Sequence, residues 1–137
     1  MNINPYIFFD GNCRTAFEFY SEVFGVEPAM MVTVGESPAE NQMPGLSKDA
    51  IMHARLDLGG THLMAGDAPM GRYEKPQGFS LCLVVSSIEE GERVFEALSA
   101  GGQVYMPYAQ TFWATRFGML EDKFGIDWMI NTGDAVP

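Results

Sequence analysis

Histidine occurs twice in the chain, as His53 and His62, and Asp67 follows them in the same stretch, 50–67, AIMHARLDLGGTHLMAGD. An imidazole beside a carboxylate makes a general base, and two imidazoles with a carboxylate make a small ligand set for a metal ion. A second group lies in 110–131, QTFWATRFGMLEDKFGIDWMIN, which holds both tryptophans, Trp113 and Trp128, with Arg116 between them. A guanidinium among aromatic rings grips a carboxylate or phosphonate, or stacks on a flat ring. Tyr73 sits in a polar loop, APMGRYEKPQG at 68–78, where it would close a groove. The acids Glu89, Glu90, Glu92 and Glu96 read instead as the solvated face of a helix.

These residues have to be held by regular elements, and the pattern predicts which. Residues 3–9 form a short β-rich run ending at Asp10-Gly11-Asn12. In 13–24 the apolar residues fall on one helical face, Asn12 stands where a cap belongs, and Gly25 is placed to end the helix. A strand follows at 26–35, which Pro28 confines to a sheet edge or makes irregular at its start, and then a long polar loop at 36–49 of the kind that is either mobile or placed over a site. Strand 50–58 alternates, Gly59-Gly60 turns it, and THLMAGD returns beside it. After 68–78 the series restarts. There is a strand at 79–85, a capping box at Ser87–Glu90, a helix at 88–100, the strand QVYMPY, and a closing hairpin of 113–121 with 126–132. The order is strand, helix, three strands, twice over. The expected fold is therefore α+β: two βαβββ units, 1–67 and 79–137, joined by loop 68–78, with cupped mixed sheets and the helices outside.

Composition narrows the partners. With 18 acidic and 8 basic residues among 137, the net charge of -10 argues against nucleic acid or an anionic membrane surface, both of which need a basic face. Cys13 and Cys82 read as reduced, small buried hydrophobes. No basic n-region, secretory core or membrane-length apolar run is present, and the expected location is the cytoplasm.

The duplicated order, FEFYSEVFG in the first helix and the final TFW…FG…DKFG..WMIN run together resemble the vicinal oxygen chelate superfamily of glyoxalases, bleomycin-resistance proteins and extradiol dioxygenases. Within it the likeness is to the PhnB-like branch, often labelled demethylubiquinone-methyltransferase-like, and it covers essentially the whole chain. The resemblance implies a cupped small-molecule site, a homodimer, and a divalent metal held by His, Gln or Glu on the first and last strands of each unit. Mapped onto this chain, the ligand positions fall at Pro5, Met64, Ser80 and Met129, none a good ligand for magnesium, nickel, zinc or iron. The expectation is thus no standard metal and no cofactor, with a divalent ion relocated to His53, His62 and Asp67 as the alternative. The methyltransferase label gains no support from a Gly-rich loop after a strand, because there is none.

Parity along the strands then lines the cup with His62 and Met64, with Asp127, Met129 and Asn131, with Ser80 and Cys82, and with Pro5, Ile7 and Phe9. That mixture suits an adaptable, largely apolar pocket for a small organic molecule. Met64, Tyr73, Trp113, Arg116, Met129 and Asn131 are its expected ligand-binding residues. Two other functions stay open. One is a glyoxalase- or dioxygenase-like enzyme with a relocated site. The other is a drug-sequestering protein, whose acidic, aromatic cup would take a flat cation.

Overall fold

Why the chain folds twice in the same way is visible in how each helix starts. The computed structural model describes residues 1–38, 45–69 and 71–134. Its elements are β1 (Tyr6–Phe9), α1 (Cys13–Phe24), β2 (Met30–Thr33), β3 (Ile51–Leu58), β4 (Thr61–Asp67), β5 (Leu81–Val85), α2 (Ile88–Ser99), β6 (Gln103–Ala109), β7 (Ala114–Glu121) and β8 (Asp127–Asp134). At α1 the expected cap is not made by Asn12, which forms no side-chain cap bond. The carboxylate of Asp67 does the work from the end of β4. Its Oδ1 accepts the Cys13 amide at 3.0 Å and its Oδ2 the Ile51 amide at 2.8 Å. A carboxylate also suits the positive end of a helix dipole. At α2 the cap is local, with Ser87 Oγ accepting the Glu90 amide at 3.1 Å.

The chain divides into two compact units, Met1–Glu74 and Lys75–Pro137, and the division falls within 68–78. Each unit holds one four-stranded mixed sheet, ordered β1-β4-β3-β2 in the first and β5-β8-β7-β6 in the second. The first strand of each unit runs parallel to the last, and the remaining pairs are antiparallel. The parallel ladders end alike, with Phe9 opposite Asp67 and Val85 opposite Thr132. Part of the expected loop at 36–49 lies outside the described residues.

Each helix covers one face of its own sheet. In the first unit Phe17 of α1 meets Phe9 edge-on at 6.4 Å, above buried Ala54, Leu56 and Leu63. In the second, Val94, Phe95 and Leu98 lie over buried Leu120, Trp128 and Ile130. The approach there is close enough to require glycine. A Cβ on Gly91 would collide with the Tyr108 hydroxyl, and one on Gly118 would come 2.5 Å from the Phe95 ring.

The β7–β8 turn is built around a buried acid. Asp122 Oδ1 accepts the amides of Phe124 at 2.8 Å and Ile126 at 3.1 Å, and Oδ2 accepts the Trp128 indole N–H at 2.9 Å. Gly125, at φ 86°, supplies the left-handed residue that the turn needs. The DKFG.DW run is therefore a folding motif. Replacing Asp122 with Ala leaves three donors without this acceptor, and should lower unfolding free energy by about 2–4 kcal/mol. Urea denaturation followed by Trp128 fluorescence measures it, and a loss under about 1 kcal/mol would mean that water replaces the carboxylate without penalty.

Candidate functional site

Strand alternation turns half of each sheet away from its helix, and that open face holds the chemistry. In the first unit it carries Tyr6, Phe8, His53, Arg55, Asp57, His62 and Met64. Pro5, Ile7 and Phe9 do not belong to it. Ile7 and Phe9 are buried on the α1 side, and Pro5 shares their parity, which corrects the expected lining. The residue preceding Pro5 takes the place beside β4, with Asn4 Oδ1 accepting the His62 amide at 3.1 Å. The matching ladders Tyr6–Met64 and Cys82–Met129 make Asn4 the counterpart of Ser80.

The structure does not assemble His53, His62 and Asp67. His53 stands opposite Val32 and stacks on Tyr6 at 5.7 Å, with Nδ1 3.4 Å from the phenol oxygen. His62 stands opposite Asp57, and its Nδ1 is 2.6 Å from Asp57 Oδ1. Asp67 is buried against the start of α1, its two oxygens committed to backbone amides. The acid beside an imidazole is thus Asp57. The hydrogen bond from His62, with the charge of Arg55 behind it, holds Asp57 below the usual carboxylate range. Arg55 Nε lies 3.0 Å from Asp57 Oδ1. This pair was readable in the sequence, because residues flanking a Gly-Gly hairpin turn symmetrically face one another.

In the second unit the open face carries Cys82, Val84, Phe117, Met119, Asp127, Met129 and Asn131. Trp113 is 44% exposed and packs edge-on against Phe112 at 4.7 Å and Phe117 at 5.3 Å. Arg116 stands opposite buried Thr132, on the α2 side, and donates to the Thr115 carbonyl at 2.8 Å. Trp128 is core. Tyr73 is half-buried in the segment after β4, in neither sheet.

Two polar atoms on this face stand out. Asp127 Oδ1 and Asn131 Oδ1 are buried, and neither has a hydrogen-bond partner among the described residues. Asp127 faces Glu121 across the β7–β8 pair. Glu121 is tied to Lys75 Nζ at 2.9 Å and accepts the Tyr105 hydroxyl. These bonds, Tyr105's first, hold Glu121 below its ordinary range. Asp127 is pushed the other way, by desolvation and then by the Glu121 charge.

The superfamily's metal can be tested against these donors. The corrected positions offer an amide already bonded to a main-chain N–H (Asn4), a serine hydroxyl (Ser80) and two thioethers (Met64 and Met129). That set does not fit a hard or borderline divalent ion, which needs carboxylate, imidazole or carbonyl donors. Among the described residues, no three His, Cys, Asp or Glu side chains gather into a cation site.

A repeated βαβββ unit with its helix on one face of a mixed sheet is the fold of the glyoxalase/bleomycin-resistance/dioxygenase superfamily. A glyoxylase/bleomycin resistance protein/dioxygenase domain from Frankia sp. EAN1pec shares it, with a TM-score of 0.68 at 14% identity over 97% of this chain and 92% of that one. The chain belongs to the family described as 3-demethylubiquinone-9 3-methyltransferase, whose model matches residues 1–131. It is 38% identical to Protein YjdN of Escherichia coli (strain K12), over all of this chain and 99% of the relative. It is 46% identical to protein PA1353 of Pseudomonas aeruginosa, whose crystal structure matches with a TM-score of 0.88 over 97% of this chain and 98% of that one. Among the described residues no helix is long and apolar enough to cross a membrane.

The raised Asp127 makes stability depend on pH. Folding disfavours its ionised form, so its favourable contribution exists below the ordinary carboxylate range and is lost as pH rises through its raised pKa. Asp127→Asn should therefore melt higher than wild type at about pH 7.5, with the difference shrinking toward about pH 4. Thermal melts at both pH values check this, and a gap that widens on acidification would contradict it.

Proposed function

We propose that this protein binds a small, flat organic cation on the open face of its second sheet, as a PhnB-like member of the superfamily that works without the standard metal centre. One observation carries the reading. Asp127 Oδ1 and Asn131 Oδ1, on either side of Met129 along β8, are buried and have no hydrogen-bond partner among the described residues. Buried acceptors without donors are costly, and a ligand N–H would satisfy them. The charge of Asp127 favours a cation, exposed Trp113 offers a ring face, and Met119 and Met129 adapt to shape. Sequestration is the simplest activity for such a face. We further propose that it acts as a homodimer, in which a second copy covers the exposed Tyr6 and Phe8 of the first sheet.

A second reading rests on a different observation, the Asp57–His62 pair. A carboxylate that orients an imidazole through Nδ1 leaves Nε2 to accept a proton, which is the arrangement of a general base. That would make the first sheet the seat of an enzyme of the superfamily's type, acting from Asp57 and His62 in place of Asp67.

The binding reading predicts that planar cations such as ethidium and acridine orange quench Trp113 fluorescence saturably, and that Asp127→Asn weakens them by about tenfold. Trp113→Phe should abolish the signal, leaving the buried Trp128 background. Unchanged fluorescence across cationic and anionic dyes would remove the proposal. Metal analysis of protein purified without chelator, then exposed to nickel, zinc and manganese, should show no stoichiometric uptake. One tightly held equivalent of any of these ions would restore a divalent centre.

A further inference from the structure

Sulfur runs in a single row across the second sheet. Cys82 of β5 stands opposite Met129 of β8, Met129 opposite Met119 of β7, and Met119 opposite Met106 of the edge strand β6. In the regular ladders that join Cys82, Met129 and Met119, lateral partners project from the same face, and neighbouring strands lie about 4.8 Å apart; the β6–β7 register shifts on both sides of Met106, which therefore gives the row no fourth donor. The residues alternating with them, Leu120, Trp128 and Ile130, are buried on the α2 side. Cys82 is exposed and the three methionines are half-exposed, so the core does not use this row. Thioether arms turn about several bonds, and sulfurs on adjacent strands therefore reach a common point.

We propose that Cys82, Met129 and Met119 form a binding site for a soft monovalent cation of the Cu(I) or Ag(I) class. A thiolate with two thioethers is a soft, low-coordinate set, the chemical opposite of the oxygen and imidazole donors that a hard divalent ion needs. It lies at the very position, Met129, where the resemblance places a metal-binding glutamate. Binding breaks the Cys82 S–H bond and forms a sulfur–metal bond, and the proton leaves to solvent. No electron moves, because the ion arrives and remains monovalent. Desolvation raises the Cys82 thiol above its ordinary pKa, so binding should release a proton and tighten as pH rises.

The flanking rows differ, and the Glu121 charge in one of them is already paired by Lys75. The row beside the sulfurs holds Asp127 and Glu121, and the row on the other side holds Val84, Asn131 and Phe117. The first unit supplies an internal contrast. Its Met64 stands opposite Tyr6 and Arg55, so no sulfur row forms there. Cys13, the other thiol, is buried beneath α1, and burial with the neighbouring Asp67 charge pushes it up to about 12. The inference does not depend on whether an organic ligand also uses this face.

The test is titration of the full chain with silver nitrate in chloride-free buffer, and with Cu(I) under anaerobic competition from bicinchoninate. Native mass spectrometry gives the stoichiometry, and a pH indicator follows proton release. We expect one equivalent per chain, about one proton released near neutral pH, loss of tight binding in Cys82→Ser, and at least about tenfold weaker binding in Met129→Leu and in Met119→Leu. Cys13→Ala should bind as wild type does. Wild-type uptake by Cys82→Ser overturns the site. Undiminished affinity in both methionine variants overturns the shared coordination, leaving a bare thiol, and no uptake by the wild type overturns the whole. Circular dichroism of each variant separates lost binding from lost folding.

Discussion

One buried carboxylate fixes the first unit. Asp67 ends β4, stands opposite Phe9 at the end of β1, and takes the first amide of α1 and the first amide of β3. Helix, parallel strand and hairpin are thereby locked to one another at a single point. With α1 fixed there, its apolar stripe has only one sheet face to cover. The second unit meets the same demand without a charge. Thr132 occupies the corresponding place, and its Oγ1 lies 2.5 Å from the Tyr108 hydroxyl, which also donates to the Ile88 carbonyl at the start of α2. One position in one scaffold is thus served by an acid in one half and by a hydroxyl chain in the other.

Because the helices claim one face each, everything chemical falls on the other. The duplication is then informative by its differences. Corresponding places on the open faces hold Tyr6 and Cys82, His62 and Asp127, and Gly66 and Asn131, while Met64 and Met129 stay alike. The first unit is an imidazole–carboxylate–guanidinium surface. The second is sulfur, amide and an acid whose Oδ1 has no hydrogen-bond partner among the described residues. Any activity therefore needs to be sought on each unit in its own terms.

The fold was largely legible in the sequence, because period-two and helical apolar patterns, glycine turns and the repeat all agree. The strand expected after Pro28 starts only at Met30 and lies at a sheet edge, and the Ser87 cap formed as its spacing requires. The α1 cap was not legible, since its acid comes from a residue far along the chain. The site was less readable for a related reason. Sequence proximity grouped His53, His62 and Asp67, but alternation sends Asp67 to the helix side and hairpin register gives His62 to Asp57. Trp113 precedes β7, while Arg116 lies on it opposite Thr132. A one-residue error in register exchanged Pro5 for Asn4. The sulfur row was invisible along the chain, because its members come from four strands and meet only laterally.

The edge of the second sheet shows how such a β-rich chain avoids its own kind. β6 carries Pro107, which has no N–H to offer, and its pairing with β7 slips twice around Met106. An incoming strand would find its unpaired backbone row interrupted where it needs a regular ladder. Edge-to-edge growth into fibrils is thus hindered by the backbone itself, and the exposed apolar face beside it can stay accessible for binding without making that edge a template.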